Sequence, residues 1–500
     1  MAEAGDGAPA APLSGLERSF AAALPELCLE WSAARAPEPT LAALNAELAA
    51  SLGLDPDALR AADGVATLAG NLVPPGAAPV AMGYAGHQFG HYSPRLGDGR
   101  ALLLGELVGP GGDRLDVHLK GSGRTPFARG GDGRATIGPM LREYLIAEAL
   151  HALGVPTTRS LAVVTTGEQV MRDGIEPGAV LTRIAAGHIR VGTFEYAARL
   201  ADDGLVRRLA DYSIQRHYPD LSDSSEPYRQ LLVRVIDAQA ALVARWMLVG
   251  FIHGVMNTDN MAISGEGIDY GPCAFMDAYH PDTVFSSIDH AGRYAFGNQP
   301  VMATWNLARF AETLVPLLAA TEDAATEDAV AVATEELKQV SAKVDANWRA
   351  GMAAKLGLEA PHDADPSLFG ELLGALQADE ADWTGTFRTL ADLRRNGADG
   401  IAGLPDALAA WVPGWIARLD GEGRPPVEVA DAMDAVNPVH IPRNHLATEA
   451  LDAAAGGDLG PFEALLAAVT NPFDAEGADL RYAQPAPPEF SARFRTFCGT

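Results

Sequence analysis

The stretch from His253 to Asn260, together with a tripeptide nine residues further on, decides how the chain folds. It reads His253-Gly254-Val255-Met256-Asn257-Thr258-Asp259-Asn260, and the tripeptide is Asp269-Tyr270-Gly271. Asn260 and Asp269 offer oxygen atoms, which are the ligands that magnesium prefers. Asp259 is the nearest carboxylate that could act as a base, since the side chain of Val255 cannot accept a proton. The stretch therefore predicts a metal-dependent site with an unusually placed base.

Protein kinases carry a related pattern, H-R-D-L-x-x-x-N followed by D-F-G. His253 and Asn260 match the His and the Asn of that pattern, and Asp269 matches the metal-binding Asp of D-F-G. Val255 stands where kinases have their catalytic Asp. A site that retains its metal ligands and lacks the usual base suggests ATP chemistry other than ordinary transfer of the γ-phosphate.

The segments upstream of this stretch follow the order of a kinase-like N-lobe. Strand-like runs over 101–108 and 115–120 flank a Gly-Pro-Gly-Gly turn, and the second run ends in Lys120. The next helix carries Glu143, and in a kinase-like lobe such a glutamate pairs with the lysine to orient the phosphates of ATP. Taken alone, a surface lysine and an unrelated glutamate are the more common explanation, and the downstream pattern reverses that preference.

The length of 500 residues predicts at least two lobes, since a single core stops growing at roughly 250–300 residues. We expect an α+β, protein-kinase-like bilobal fold, with a β-rich N-lobe, an equivalent of helix C, and a large, mostly helical C-lobe. The expected divisions are 1–70, a disordered leader and an N-terminal helical segment; 71–190, the nucleotide-binding N-lobe; 191–320, the C-lobe with the catalytic loop and the metal-binding segment; and 321–500, a helical C-terminal extension and tail.

Several further elements are predicted within these divisions. The pattern is helical over 16–59, and strands are expected over 160–165 and 179–183. One long amphipathic helix over 227–252 should deliver the chain to His253.

Composition and charge exclude several classes of function. The net charge of −28 argues against a nonspecific nucleic-acid binder or a protein of anionic membranes, because both need a clustered basic surface. Three cysteines, Cys28, Cys273 and Cys498, cannot form a disulfide framework. The first residues contain no positively charged and apolar pattern of a signal peptide. We expect a cytoplasmic protein that binds neither nucleic acid nor membrane.

Glycine-rich turns and two arginines supply groups that suit phosphates. The turns contain Gly97, Gly99 and Arg100 in one place, and Asp132 with Gly133 in another. Bare backbone amides and arginine side chains bind phosphate well, although hairpin turns have the same composition.

The two arginines, Arg183 and Arg190, lie near the expected hinge between the lobes. They could clamp phosphate charge, or they could be ordinary partners in surface salt bridges.

Together these motifs resemble the selenoprotein O (SelO, YdiU) family of pseudokinase-like protein nucleotidyltransferases. The resemblance covers roughly 70–500 and is most specific from Lys120 to Arg134. The segments that carry it are Tyr84–Gly90, Leu96–Arg100, Leu119–Arg134, Leu141–Ala149, Arg183–Tyr196, His253–Asn260, Ile268–Ala278, Phe285–Gln299 and Asn437–Ala447.

The resemblance implies that ATP binds flipped relative to kinases and that AMP is transferred to Ser, Thr or Tyr hydroxyls of proteins, with release of pyrophosphate. Transfer of UMP from UTP with Mn²⁺ in place of Mg²⁺ also occurs in the family. Asp259 would be the proton acceptor, and Asn260 and Asp269 would hold the metal. The residues implied to contact the nucleotide are Gly97, Gly99, Arg100, Lys120, Asp132, Gly133, Glu143, Arg183, Arg190 and Asp269.

Two other functions stay open at this point. The first is a kinase that phosphorylates a protein or a small molecule, against which Val255 argues. The second is an inactive pseudokinase that senses nucleotide, against which the complete set of Lys120, Glu143, Asn260 and Asp269 argues.

The family resemblance also raises the hypothesis of a redox-sensitive disulfide between Cys273 and Cys498. The alternative is two free thiols in a reducing compartment.

Overall fold

The computed structural model of the chain describes residues 12–497 except 173, 203, 320–325, 360–361, 398–400, 402 and 478. Within this part of the chain, a β-sheet dominates the N-terminal region and helices dominate the C-terminal region. The predicted mixed character of the fold, with the sheet first and the helices after it, is thereby confirmed. No helix of the described part is long and apolar enough to span a membrane.

Eleven strands occur among the described residues. They are β1 (Cys28–Glu30), β2 (Thr40–Leu44), β3 (Val80–Met82), β4 (Gly86–Gln88), β5 (His91–Ser93), β6 (Ala101–Val108), β7 (Arg114–Lys120), β8 (Arg159–Met171), β9 (Ile175–Ala185), β10 (Phe251–Ile252) and β11 (Ala274–Phe275). Seven of them form one antiparallel sheet in the order β1-β3-β6-β7-β9-β8-β2, while β4–β5 and β10–β11 are separate two-stranded ribbons.

The predicted hairpin forms the centre of the sheet. Strands β6 and β7 pair from Ala101 opposite Lys120 to Val108 opposite Arg114, as the predicted hairpin requires. The register shifts at Gly105, whose φ is +151° and where a Cβ atom would lie 2.6 Å from the carbonyl oxygen of Glu17. Only glycine fits that combination of backbone angle and close approach.

Eighteen helices occur among the described residues. They are α1 (Ser19–Ala23), α2 (Ala46–Ser51), α3 (Pro56–Arg60), α4 (Ala62–Leu68), α5 (Ile137–Ala152), α6 (Val191–Ala197), α7 (Leu205–His217), α8 (Pro227–Leu248), α9 (Gln299–Leu318), α10 (Thr326–Lys338), α11 (Val340–Lys355), α12 (Asp365–Ala378), α13 (Trp383–Asn396), α14 (Asp406–Asp420), α15 (Pro426–Asp434), α16 (Asn444–Ala455), α17 (Gly460–Val469) and α18 (Pro488–Ser491).

The structure corrects two of the predicted elements. The region 16–59, predicted to be helical, contains the strands β1 and β2, which form the two edges of the large sheet. β2 consists mainly of Ala and Leu, which have little strand preference, so its pairing with the distant β8 determines its conformation. The long helix predicted over 227–252 ends at Leu248, and Gly250 then adopts a φ of +72° that turns the chain into β10.

The C-terminal helices reach back to the N-terminal region. Apolar side chains of α16 and α17, among them Leu446 and Phe462, pack in one buried cluster with Tyr144 and Leu145 of α5. Arg443, which is fully buried, bonds the carboxylates of Asp277 and Asp382 at 2.6 Å each. Helices α16 and α17 therefore pack against α5, the helix that carries Glu143.

Candidate active site

A cavity of about 310 Å³ opens between the large sheet and the loop that follows α8. The sequence-predicted residues that line it are Gly97, Gly99, Arg100, Lys120, Asp132, Gly133, Arg183, Arg190, Asp259, Asn260 and Asp269. Glu143 is the one predicted residue that does not line the cavity, and it contacts lining residues from α5. The structure thus brings together residues from both halves of the predicted fold.

Three cations converge on Asp269 at the floor of this cavity. Lys120 at the end of β7 and Arg183 on β9 donate to Asp269 Oδ1 at 2.6 and 2.7 Å. Arg190 donates to Oδ2 at 2.7 Å. Glu143 accepts from Lys120 at 2.5 Å through Oε2 and also bonds Arg183 through Oε1. Three cations against two carboxylates leave a positive excess, which favours the binding of an anion.

The cations determine the ionisation of both carboxyl groups. Burial alone would raise the pKa of Asp269, but Lys120, Arg183 and Arg190 outweigh burial and hold this pKa well below its usual range. For Glu143, burial likewise opposes ionisation, and Arg183 and Lys120 lower its pKa in spite of it. Both groups are therefore negatively charged at neutral pH.

Asp269 also has an uncommon backbone conformation. Its φ is +64°, in the left-handed region that residues other than glycine seldom adopt. Such strain persists where surrounding contacts over-determine the conformation, as the three bonded cations do here. The strain is typical of a residue held in place for a function.

Asp259 is the second carboxylate of the cavity and lies in a drier environment. It belongs to a single 3-10 turn, Thr258–Asn260, and its backbone carbonyl accepts a hydrogen bond from Arg190 at 2.7 Å. Its Oδ2 accepts from Gln88 at 3.0 Å, and its buried Oδ1 has no hydrogen-bond partner among the described residues. Burial raises the pKa of Asp259 to about 6, against the opposing influence of Arg190. A carboxylate of this pKa is suited to general-base catalysis near neutrality.

The loop around Asn260 is fixed by bonds to its own backbone. The side-chain amide of Asn260 donates to the carbonyl of Val255 at 3.0 Å, which leaves its oxygen as the available acceptor. His253 is buried and its Nε2 lies 2.8 Å from the carbonyl oxygen of Ile268, so it joins the loop to the segment before Asp269. The residues predicted as metal ligands are thereby held on one rigid unit.

The donor set of the cavity fits a magnesium-type cation that is shared with phosphate. No cluster of three or more His, Cys, Asp or Glu side chains that could hold a metal by themselves exists in the described part of the chain. Asn260 and Asp269 offer two oxygen-bearing side chains on the same cavity wall. Magnesium is commonly held by one or two such residues together with substrate phosphates and water, so the residues fit a cation that arrives with a nucleotide.

The glycine-rich turns form the outer wall of the cavity. Gly97 has a φ of +96°, and a Cβ atom there would lie 2.5 Å from the ring of Phe127. Gly133 has a φ of +73°, and a Cβ atom there would lie 2.2 Å from the backbone nitrogen of Arg124. Both positions require glycine for packing, and the contact of their backbones with a nucleotide stays a prediction.

Asp132 lies at the rim and pairs with Arg172, whose two terminal nitrogens each approach a carboxylate oxygen at 2.9 Å. That hydrogen bonding lowers the pKa of Asp132. The sequence prediction contained no role for Arg172, because nothing in the local sequence links it to a loop forty residues earlier.

Two more residues of the cavity escaped the sequence prediction. Tyr84 lies under the guanidinium of Arg190, with 4.6 Å between the guanidinium carbon and the ring centroid. Gln88 contacts Asp259 directly. Both occur in the stretch Tyr84–Gly90, which contributed to the family resemblance. The sequence alone assigned no function to either residue.

Cys273 is buried as a free thiol, with its sulfur 3.5 Å from the carbonyl oxygen of Tyr270. Burial raises the pKa of this thiol to about 11, which disfavours the reactive thiolate. Cys498 lies outside the described residues, so a disulfide between the two cysteines stays a prediction.

Comparison with known proteins identifies the family of the chain. A family model described as "Protein adenylyltransferase SelO" matches residues 16–470. The chain therefore belongs to the SelO family. It is 56% identical over 495 residues to a protein of Rhodococcus jostii (strain RHA1) named "Protein nucleotidyltransferase YdiU", covering 98% of this chain and 95% of that relative.

Relatives with the same name occur in other bacteria. The chain is 57% identical over 489 residues to one from Mycobacterium sp. (strain KMS), covering 97% of this chain and 99% of the relative. It is 55% identical over 487 residues to one from Cereibacter sphaeroides (strain ATCC 17025 / ATH 2.4.3), with the same coverage of both chains. The similarity extends over nearly the whole length of the chain.

Proposed function

We propose that the chain is a protein adenylyltransferase, which transfers AMP from ATP to a Ser, Thr or Tyr hydroxyl of an acceptor protein and releases pyrophosphate. The observation that carries the proposal is the convergence of Lys120, Arg183 and Arg190 in the same cavity as the dry carboxylate of Asp259. The cations suit a highly charged pyrophosphate leaving group, and Asp259 suits a hydroxyl nucleophile. The bilobal arrangement would be that of a protein kinase, with ATP bound in the flipped direction.

In the proposed reaction the hydroxyl oxygen of the acceptor forms a bond to the α-phosphorus of ATP. The bond between that phosphorus and the oxygen bridging to the β-phosphate breaks, and pyrophosphate departs with the bond's electron pair. The hydroxyl proton passes to the carboxylate of Asp259, which lines the cavity. With a pKa of about 6, Asp259 is ionised at neutral pH and able to accept it.

The cations of the cavity stabilise the charge that develops on the leaving group. Lys120, Arg183 and Arg190 now neutralise Asp269, and phosphate oxygens would share these bonds. Asn260 and Asp269 would hold Mg²⁺ or Mn²⁺, which when bound supplies further neutralisation of phosphate charge. Positioning and electrostatics supply most of the rate enhancement in transfers of this kind, so a displaced base is sufficient.

The nucleotide-contacting residues proposed outside this cluster are Gly97, Gly99, Arg100, Asp132 and Gly133, all of which line the cavity. The same cavity chemistry would accept UTP, in which case UMP is transferred. The few cysteines and the acidic charge of the chain support a cytoplasmic place of action.

The test is a pair of labelling reactions, with ATP labelled at the α-phosphate in one and at the γ-phosphate in the other. Each is run with an acceptor protein mixture, first with Mg²⁺ and then with Mn²⁺, and UTP labelled at the α-phosphate is run in parallel. Protein-bound label from the α-position alone is expected. Label from the γ-position alone would make the protein a kinase, and ATP binding without any transfer would make it a nucleotide sensor.

A further inference from the structure

We propose that Gln88 is a positioning residue for the proton acceptor: its side-chain amide holds the carboxylate of Asp259 in one orientation at the wall of the cavity. The inference rests on the proposed function, because it assumes that Asp259 takes the proton of the acceptor hydroxyl. It concerns a residue of the β4–β5 hairpin, which belongs to neither the large sheet nor the helical region.

The β4–β5 hairpin is docked on the loop that carries Asp259. The backbone nitrogen of His87 donates to the Thr258 hydroxyl at 2.7 Å, and that of Phe89 donates to Asn257 Oδ1 at 3.1 Å. Gln88 lies between these two anchors and donates through Nε2 to Asp259 Oδ2 at 3.0 Å. Three successive residues of the hairpin therefore hold three successive residues of the loop.

The partners on both sides make this docking rigid. Asn257 Oδ1 accepts a second hydrogen bond, from the hydroxyl of Tyr294 at 2.5 Å. His87 Nδ1 lies 2.5 Å from Glu195 Oε1 on α6. The hairpin is thus fixed to the loop and to a neighbouring helix, so its glutamine presents the amide at a defined place.

The space around Asp259 fits the same purpose. A Cβ atom at Gly86 would lie 3.0 Å from both Cβ and Oδ1 of Asp259, so the glycine makes room for the carboxylate. Of the two carboxylate oxygens, Gln88 occupies Oδ2 and none of the described residues occupies Oδ1. A carboxylate with one anchored oxygen cannot rotate freely, which fixes the orientation of the group at the cavity wall.

The arrangement explains how the protein works with a base outside the kinase position. A carboxylate next to Asn260 lies on a short turn and has no strand or long helix to orient it. The hairpin supplies that orientation from a segment 171 residues earlier in the chain. Catalytic groups must be held close to the productive geometry for full effect.

The experiment compares Gln88→Leu, which keeps the approximate size and removes the donor, with His91→Ala as a matched control. His91 pairs with Gln88 across the hairpin and its side chain is exposed. We expect Gln88→Leu to lower kcat by about 10–100-fold, the usual effect of losing a hydrogen bond to a charged group. The KM for ATP and the Kd for ATP, measured by calorimetry, should stay within about twofold of wild type, and His91→Ala should match the wild type.

A double-mutant cycle decides whether Gln88 acts through Asp259. In an Asp259→Ala background, Gln88→Leu should cause no further loss, since the group that it positions is gone. A further loss of the same size would overturn the inference, and so would a wild-type kcat in Gln88→Leu.

Two readouts separate this inference from a merely structural role and from the proposed function. If Gln88→Leu increases amide hydrogen exchange over 257–260 or lowers the melting temperature, the hairpin is a structural clamp and the positioning role is wrong. If the wild type transfers label from the γ-phosphate only, the proposed function fails. The cycle would still decide the role of Gln88, because a hydroxyl must lose its proton in either transfer.

Discussion

Lys120 and Lys355 are both buried, and their surroundings differ in nearly every respect. Lys120 contacts the carboxylates of Glu143 and Asp269 at 2.5 and 2.6 Å. Lys355, at the end of α11, is 5% exposed and has a single polar partner among the described side chains, Asn437 Oδ1 at 2.8 Å. Its ammonium lies 3.9 Å from the centroid of the Phe387 ring, and none of the described carboxylates pairs with it.

The difference shows two ways in which a protein accommodates a buried amine. At Lys120 the neighbouring carboxylates balance the charge, so the lysine is available as a cation for a phosphate. At Lys355 burial lowers the pKa to about 7, so the amine loses its proton under mild conditions. The ion-paired lysine fits the proposed chemistry, whereas the lone amine costs stability whenever it is protonated.

The strongest disturbance of the cluster around Lys120 is Asp269→Ala, which leaves Lys120, Arg183 and Arg190 with one carboxylate. We expect loss of transfer by at least about 10³-fold, because the proposed metal ligand and the centre of the charge network disappear together. Metal-dependent ATP binding, measured by calorimetry, should be lost as well. Asp282→Ala removes an exposed carboxylate outside the cavity and is the control. Retained turnover in Asp269→Ala would refute the metal assignment.

A milder disturbance is Lys120→Met, which removes one cation and leaves Arg183 bonded to both carboxylates. We expect the rate to fall by about 10²–10³-fold, as for the loss of one charged donor in a transition state. Circular dichroism should show an intact fold. An unfolded variant would instead assign a structural function to Lys120.

Lys355→Met tests the buried lysine without a carboxylate partner, through the pH dependence of the free energy of unfolding. Because the folded-state pKa of Lys355 is about 7 and its unfolded value is 10.5, the unfolded chain binds more protons between these values. The wild type should therefore gain free energy of unfolding as pH rises through this window, by at most about 1.4 kcal/mol per pH unit. Below pH 7 the buried amine is protonated, and the full cost of burying its charge lowers the free energy of unfolding.

The measurement for this prediction is urea unfolding of wild type and Lys355→Met at several values between pH 6 and 9.5. The difference between the two proteins should shrink or reverse in favour of the wild type as pH rises. Parallel pH profiles for the two proteins would show that Lys355 does not titrate in the folded state.

An exposed lysine, Lys338, should show the smallest effect of substitution among the three lysines. Lys338 pairs with Glu335 at 3.0 Å, and both side chains are more than half exposed. Lys338→Ala should change the free energy of unfolding by about 0.5 kcal/mol or less, since water screens such pairs. A larger change in the same urea titration would indicate that α10 depends on this pair in a way the structure does not show.

The parts of the fold that the sequence predicted are those with strong local signals. The β6–β7 hairpin follows from two strand-like runs around a glycine-rich turn, and α5 follows from a run of helix-forming residues that ends before Gly154 and Pro156. The edge strands β1 and β2 were missed, because β2 pairs with β8 more than a hundred residues away and has little strand preference of its own.

The candidate site was predicted through its motifs, and its interactions were not. Lys120, Asp259, Asn260 and Asp269 stand in recognisable patterns, so the resemblance located them before their geometry was known. The bond from Gln88 to Asp259 and the burial of Lys355 depend on contacts between distant segments. The sequence around a residue does not identify partners that are distant along the chain, so these contacts are known only from the folded structure.

The packing of α16 and α17 against α5 has a consequence for the order of events during protein synthesis. Glu143 leaves the ribosome roughly 300 residues before the start of α16. At 5–20 residues per second, that interval lasts about 15–60 s. During it, α5 lacks the surface that it packs against in the finished protein, and the ion pair with Lys120 lacks its support. In a nascent chain the proposed nucleotide site therefore stays incomplete until translation has almost ended.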